Sequence, residues 1–358
     1  MEEAAKNIFQ RNPIKSSLFL IGLFALGVSL TVYFYLKSTG QAPPSDATLT
    51  KNMGVYADVI TPTPLTCPSD FLMTDYTVAG SGYSVLPGKT VYSYVTTDAI
   101  TKVIEGGARI VELHIYDVNK DPVVAIADES TKKMLTYNTV PFEKCCITLG
   151  NSAFKNPSPF VLSLVFHTDD TLVINKCADI LKSTLRKFML DSSYSYQRKN
   201  IALEPACNLL NKLIIVSGEH HKGNGMDELV NLSWSSSLCR RLTYRQASQT
   251  YDHDELIEYN RRNITLVVPD LDTASMENGN PEICFSYGCQ WVLMNYGSLD
   301  NAMELYTGRF QQGSFMLKPD ELRYKPVTYK KPEPQNPEVS FQPKRLQSPL
   351  YDFTIGSV

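Results

Sequence analysis

No C-x-x-C pair occurs among the eight cysteines of this 358-residue chain, so the ligand spacing of a zinc site is missing. Cys145 and Cys146 are adjacent, which is poor geometry for bridging to each other. With Cys67, Cys177, Cys207, Cys239, Cys284 and Cys289 they read mostly as buried thiols, and their number does not fix the redox compartment. An excess of positive charge is missing too. The 34 basic residues face 37 acidic ones, for a net charge of −3. Residues 1–37 carry four Lys/Arg and two Glu, and the 30 basic and 35 acidic residues beyond leave the rest of the chain at −5. That excludes the basic surface on which nucleic-acid binding depends. No internal repeat is present. What remains is an ordinary globular composition, 43% hydrophobic and 20% charged, enough for one large α/β domain or two small ones.

Leu18 to Leu36 reads LFLIGLFALGVSLTVYFYL, 19 residues without a charge. As a helix it spans about 28 Å, close to the hydrocarbon thickness of a bilayer. Lys15 and Lys37 bracket it, and Tyr33, Phe34 and Tyr35 sit where an interfacial aromatic belt lies. A cleaved signal peptide has a shorter apolar core followed by small residues, so the segment reads as an uncleaved anchor. Lys6, Arg11 and Lys15 precede it and only Lys37 follows closely. The positive-inside rule therefore places the N-terminus in the cytosol and the main domain on the other side. Asn231-Leu-Ser and Asn263-Ile-Thr are then candidate glycosylation sites.

Residues 1–17 form a short N-terminal segment and 37–66, rich in Ser, Thr, Pro and Gly, a linker. From Cys67 to Lys325 strand-like and helix-like segments alternate. Strands are predicted at 109–116, 122–127, 160–166, 213–216, 264–268, 291–295 and 314–317. Helices are predicted at 176–190 and 254–259. Near-continuous apolar runs suit strands buried on both faces, and the alternation favours a parallel barrel or an open doubly wound sheet. Residues 326–358 hold six prolines and no apolar periodicity, so they read as an extended tail with no core of its own.

Several stretches between 68 and 324 carry a resemblance to the phosphoinositide-specific phospholipase C family. Gly106-Gly107-Ala108-Arg109-Ile110-Val111-Glu112-Leu113-His114-Ile115-Tyr116-Asp117 resembles the family's Gly-Cys-Arg-x-Val-Glu-Leu-Asp-x-Trp-Asp strand. Pro159 to Leu164 resembles Pro-Val-Ile-Leu-Ser-Leu. Tyr259-Asn260 matches a His/Tyr-Asn pair, and Pro269 and Pro281 match two prolines with the same separation. Gly288-Cys289-Gln290 resembles Gly-Cys-Gln. Gly308-Arg309-Phe310 matches Gly-x-Phe, and Phe315 to Pro319 resembles Tyr-Val-Leu-Lys-Pro. The resemblance implies an α/β fold, a (β/α)8 TIM-like barrel, with its first half at about 67–216 and its second at about 230–325. Its pocket would lie at the C-terminal strand ends.

The family's reaction, as the resemblance implies it, uses two histidines and a calcium ion held by an Asn and carboxylates. The matching positions here carry other chemistry. The first catalytic His falls on Gly82 and the calcium-binding Asn on Tyr83. The second catalytic His falls on Ile126. One carboxylate survives as Glu112, while the next is His114 and the fourth-strand Glu is Val165. The phosphate-binding Arg and inositol-stacking Tyr fall on Leu266 and Val268, and the phosphate-binding lysines fall near Val216 and Gly218. Gly, Ile, Leu and Val neither transfer protons nor hold a cation.

The five histidines are His114, His167, His220, His221 and His253. Glu112 and His114 share a strand face and read as a hydrogen-bonded remnant of the site, or as a new acid–base pair. His220-His221 reads as part of a solvated loop. The expectation is a non-catalytic barrel tethered to a bilayer through residues 18–36, with no catalytic residue, no metal and no cofactor. Its protein partners would meet the barrel surface or the 326–358 tail, and the setting would be a membrane linked to a larger assembly, such as a virion inner membrane under a capsid. Two alternatives stay open: a divergent phosphoinositide phosphodiesterase that uses calcium and a rebuilt site, and a headgroup binder without turnover.

Overall fold

The computed structural model describes residues 13–39, 44–56, 65, 71–128, 131, 133–326 and 343–356. Cys67 and the Pro-rich stretch 327–342 lie outside them.

Helix α1, Pro13–Thr39, contains the apolar window Ser17–Phe34, whose mean hydropathy is 2.1 and none of which is buried. It is long and apolar enough to cross a membrane. The expected linker is not all linker. Ser45 caps a second helix, α2 (Asp46–Met53), by accepting from the Thr48 N–H, and Leu49 and Met53 are fully buried in the main core. Composition hid this helix, because only two of its eight residues are large and apolar.

The sheet is a path of eight parallel strands. They are β1 (Tyr76–Ser81), β2 (Ile110–Val118), β5 (Phe160–Phe166), β6 (Leu213–Ser217), β7 (Leu232–Ser233), β8 (Cys239–Thr243), β9 (Ile264–Val268) and β10 (Trp291–Met294). The spatial order is β7-β6-β5-β2-β1-β10-β9-β8, so chain-adjacent β7 and β8 stand at the two ends. With helices outside, this is a TIM-like α/β barrel whose β7–β8 seam has no ladder. Three short strands complete the sheet: β3 (Asp121–Val124) antiparallel on β2, β4 (Val140–Pro141) on β3, and β11 (Phe315–Leu317) antiparallel on β1. Two apolar runs expected as ordinary strands, 122–127 and 314–317, are thus attachments rather than staves. Two true staves, β7 and β8, carry too little apolar sequence to be seen: the first has two residues, and the second reads Cys-Arg-Arg-Leu-Thr.

Strand alternation divides the core. Val78, Ile110, Val161, Ile214, Leu266, Trp291 and Leu293 fill the barrel interior. Their neighbours Ala79, Val111, Leu162, Ile215, Val267 and Val292 face the helices. Helix α3 (Thr97–Glu105) buries Ala99, Ile100, Val103 and Ile104, one face at helical spacing, and α4 (Phe142–Ser152) packs beside it. Helix α5 covers Thr171–Thr184, earlier than the expected 176–190, because the Asp170 carboxylate accepts from the Leu172 N–H and sets the start there. The remaining helices are α6 (Tyr244–Ser248), α7 (His253–Arg262), α8 (Pro281–Ser286) and α9 (Asn301–Arg309).

A buried network pins the N-terminal ends of β1, β9 and β10. The Gln290 amide donates to Thr74 Oγ1 (2.8 Å) and to the carbonyls of Asn260 (2.6 Å) and Asn263 (2.9 Å), and its oxygen accepts from the Thr265 N–H (3.0 Å). Lys318 Nζ donates to the Asn260 carbonyl at 2.9 Å.

Residues 325–358 form a second unit. Within it β12 (Lys344–Ser348) and β13 (Tyr351–Ile355) pair as an antiparallel hairpin. The tail expected to be extended is therefore folded at 344–355. Leu346, Tyr351, Phe353 and Ile355 share one face of the hairpin, each 40% or more exposed, and an Arg345–Asp352 ion pair (2.6 Å) lies on the other.

Candidate functional site

The interior positions near the C-terminal ends of the strands bring Glu112 and His114 together with Arg241, Ser163 and His167. Glu112 and His114 both project inward from β2, as their spacing requires. The Glu112 carboxylate is 1% exposed and saturated. Arg241, inward-facing on β8, grips it with two bonds, Nε to Oε2 at 3.1 Å and Nη2 to Oε1 at 2.8 Å. Ser163 on β5 donates to Oε2 at 2.9 Å. Burial alone would raise the Glu112 pKa. That is the largest single influence, but the charge and hydrogen bonds of Arg241 together with the contacts of His114 outweigh it and hold the carboxyl well below the usual carboxylate range. The ion pair also joins the two halves of the barrel across its interior.

His114 Nε2 lies 3.2 Å from Glu112 Oε1, but the angle is too poor for a well-formed hydrogen bond. Its Nδ1 stands 2.9 Å from Nε2 of His167, one ring donating and the other accepting. Four rings stack here in the order Tyr83, His114, His167 and Tyr116, with centroids 4.9, 5.2 and 4.4 Å apart. Tyr83 is 5% exposed and adopts a left-handed φ of 51°, which turns its ring onto His114.

The remaining expected positions close the mouth. A Cβ on Gly82 would lie 2.6 Å from Cδ and 3.0 Å from Cγ of Pro269, so that proline occupies the space a side chain would need. Ile126 is buried with Tyr83, Leu86, Val91 and Met276 in an apolar cluster. Leu266 and Val268 are buried in the interior. Val165 lies opposite His114 in the β2–β5 register. A Cβ on Gly218 would meet the indole of Trp234 at 2.6 Å.

Calcium takes six to eight oxygen ligands. Here the Glu112 carboxylate has both oxygens on a guanidinium, and the neighbours are imidazoles, a hydroxyl and apolar groups. Among the described residues no three His, Cys, Asp or Glu side chains are grouped to hold a metal. This donor set does not fit calcium.

Three members of the cluster escape a reading from the sequence: Arg241, Ser163 and His167. His167 had a usable signal, since it directly follows a predicted strand, where barrel sites are built. Arg241 had none, because the polar strand carrying it reads as a loop. His221, expected in a solvated loop, is instead fully buried, edge-on to Tyr196 and with Nδ1 against the Gly218 carbonyl. The candidate glycosylation site at Asn231 is closed in the fold. Its side chain is 3% exposed, donates to the Tyr194 carbonyl and accepts from the Ile215 N–H. The seven described cysteines are free thiols, six of them buried, and burial pushes the Cys145 thiol up to about 12.

The fold and the placement of these positions define a phospholipase C-type barrel. Residues 70–219 match the family described as phosphatidylinositol-specific phospholipase C, X domain, and 210–321 match its Y domain. The chain belongs to the phosphoinositide-specific phospholipase C family. It is 38% identical over 72 residues to 1-phosphatidylinositol 4,5-bisphosphate phosphodiesterase beta-4 of Bos taurus, 19% of this chain but only 7% of that protein. It is 31% identical over 105 residues to the delta-4 enzyme of the same species, 28% of this chain and 12% of that one. The crystal structures of S. officinalis and L. pealei PLC21 superpose with a TM-score of 0.63 at 18% identity. They cover 73% and 74% of this chain, and the match spans 38% and 40% of theirs. These likenesses establish the fold.

Proposed function

We infer that this chain is a membrane-tethered phospholipase C-type barrel that does not turn over phosphoinositides and serves as a structural or interaction module. The observation that carries the reading is the bidentate Arg241–Glu112 pair. A metal-activated hydroxyl needs a cation facing the substrate, whereas this carboxylate's charge is neutralised internally by the protein. Gly82 and Ile126, at the positions matched to the family's catalytic histidines, supply no proton donor or acceptor. The apolar window of α1 supports the tether, and the positive-inside bias supports a cytosolic N-terminus. The exposed apolar face of the 344–355 hairpin supports a protein partner, in an assembly of the membrane-and-shell kind. Cross-linking from 343–356 that captured no partner would weigh against that part.

The test is phosphoinositide hydrolysis by the full-length chain reconstituted in vesicles containing phosphatidylinositol 4,5-bisphosphate, with calcium and with chelator. The expected result is no turnover above empty vesicles in either condition, from protein shown to be folded. Calcium-dependent turnover that Glu112→Gln abolishes would establish the second reading, a divergent phosphodiesterase. The His114–His167 contact favours that reading, since it offers a route for a proton.

A further inference from the structure

At the other end of the barrel the chain buries a positive charge with no carboxylate beside it. Arg109 directly precedes β2 and is 3% exposed. Its Nη2 donates to the carbonyls of Ser158 (3.2 Å) and Asn156 (3.5 Å), and its plane lies 5.2 Å from the centroid of the Phe160 ring. A guanidinium carries five N–H donors, and the Nε of this one is buried without an acceptor. The nearby acid, Glu105, pairs instead with Lys102 at 3.3 Å. Burial lowers the Arg109 pKa to about 10, which leaves it charged at neutral pH. A buried ion without a counter-ion is expensive, and the two carbonyls, both from the segment between α4 and β5, answer only one of its nitrogens.

A cavity of about 310 Å³ adjoins it, between the C-terminal ends of α3 and α4. Its walls include Arg109 and Lys155, the hydroxyl residues Thr101 and Ser152, Asn156 and the already paired Glu105. Two cations and three neutral polar residues against one acid make the cavity an acceptor for negative charge. Its volume suits a small molecule. A planar carboxylate matches the guanidinium fork better than a spherical anion or an uncharged group does.

We propose that this cavity binds a small carboxylate, held by Arg109 and Lys155, on the barrel face opposite the family's reaction site. The site is independent of the mouth and of whether the mouth turns over lipid.

Calorimetric titration of the full-length chain in detergent with succinate tests it, with uncharged succinamide as the control. Saturable binding of succinate and none of succinamide is expected. Ser152→Phe fills the cavity without touching either cation and is expected to abolish binding. Lys155→Ala is expected to weaken it about threefold, and Arg109→Lys by at least about tenfold, since the planar fork is lost. Ser152 and Lys155 are half-buried and exposed, so these two variants decide the matter even where Arg109→Lys fails to fold. No saturable binding by the unaltered chain, or affinity within about twofold of it in both the Ser152 and Lys155 variants, overturns the proposal.

Discussion

The barrel holds two buried polar networks, one near each end of its strands, and they keep different parts of the family pattern. At the N-terminal ends, the Asn260 carbonyl accepts from both Gln290 and Lys318, and the Gln290 oxygen accepts from the Thr265 N–H of β9. All three lie in stretches that match family motifs. Near the C-terminal ends, Arg241, His114, His167 and Ser163 gather around Glu112. The first network satisfies backbone groups that every copy of the fold must satisfy. The second occupies positions that matter to folding only through what they leave unpaired. The first network ties side chains to peptide groups, whereas the second is built from side chains alone.

The sharpest way to break that comparison is at Arg241. Arg241→Ala leaves Glu112 buried and unpaired and is expected to cost about 3–5 kcal/mol of unfolding free energy. The pH dependence should reverse as well. With Arg241 present, the depressed pKa of Glu112 contributes stability above the unfolded carboxylate pKa, and this is lost as pH falls. Without it, burial raises the pKa, so stability should fall as pH rises through the carboxylate range and beyond. Urea titrations at several pH values measure both effects. A double variant, Arg241→Ala with Glu112→Gln, should recover most of the loss, because it removes the stranded charge.

Gln290→Ala probes the other network. It strands the Thr265 N–H and the acceptors on Thr74, Asn260 and Asn263, and is expected to cost about 3 kcal/mol. Unlike the Arg241 effect, this loss should be flat with pH below 7, where Lys318 on the same Asn260 carbonyl stays protonated. A loss at Gln290 that varied through the carboxylate range would mean that the two networks are not separable.

Much of the frame was legible in the sequence, and for a physical reason. Strands buried on both faces need continuous apolar runs, which is why β2, β5, β6, β9 and β10 stand close to where those runs predict them. The missed staves β7 and β8 are short or polar, because they flank the open seam and Arg241 must turn inward. Helix α2 was missed because one face of two turns needs only Leu49 and Met53. The shared strand face of Glu112 and His114 was legible from their spacing, but the partners that meet them there were not. Arg241 and Glu112 are brought together by the closure of the barrel across 129 positions of sequence, and no local pattern records that pairing.

Gly82 sets a smaller test of the same contrast. If the mouth has been refilled rather than merely stripped, restoring a side chain should not fit. The Pro269 ring stands 2.6 Å from where a Cβ would be, and a proline ring yields little. Gly82→Ala is expected to cost about 1–3 kcal/mol in thermal unfolding, and Gly82→His to cost at least as much while restoring no hydrolysis. A neutral Gly82→Ala would mean that the mouth still has room.

The effect most specific to the N-terminal network belongs to Lys318. Burial lowers its pKa to about 7, and the partial compensation by Asp75 is not enough to reverse that. An unfolded lysine holds its proton to about pH 10.4. Between pH 7 and that value the unfolded chain therefore binds the extra proton, and stability should rise with pH by up to about 1.4 kcal/mol per unit. Below pH 7 both states are protonated and the slope from this group vanishes. Lys318→Met should flatten the rise above pH 7 and leave the acid limb, which Glu112 shapes, unchanged. An acid limb that moved with Lys318 would couple the two ends of the barrel, and the contrast between a retained frame and a rebuilt mouth would have to be replaced by a single network running through the interior.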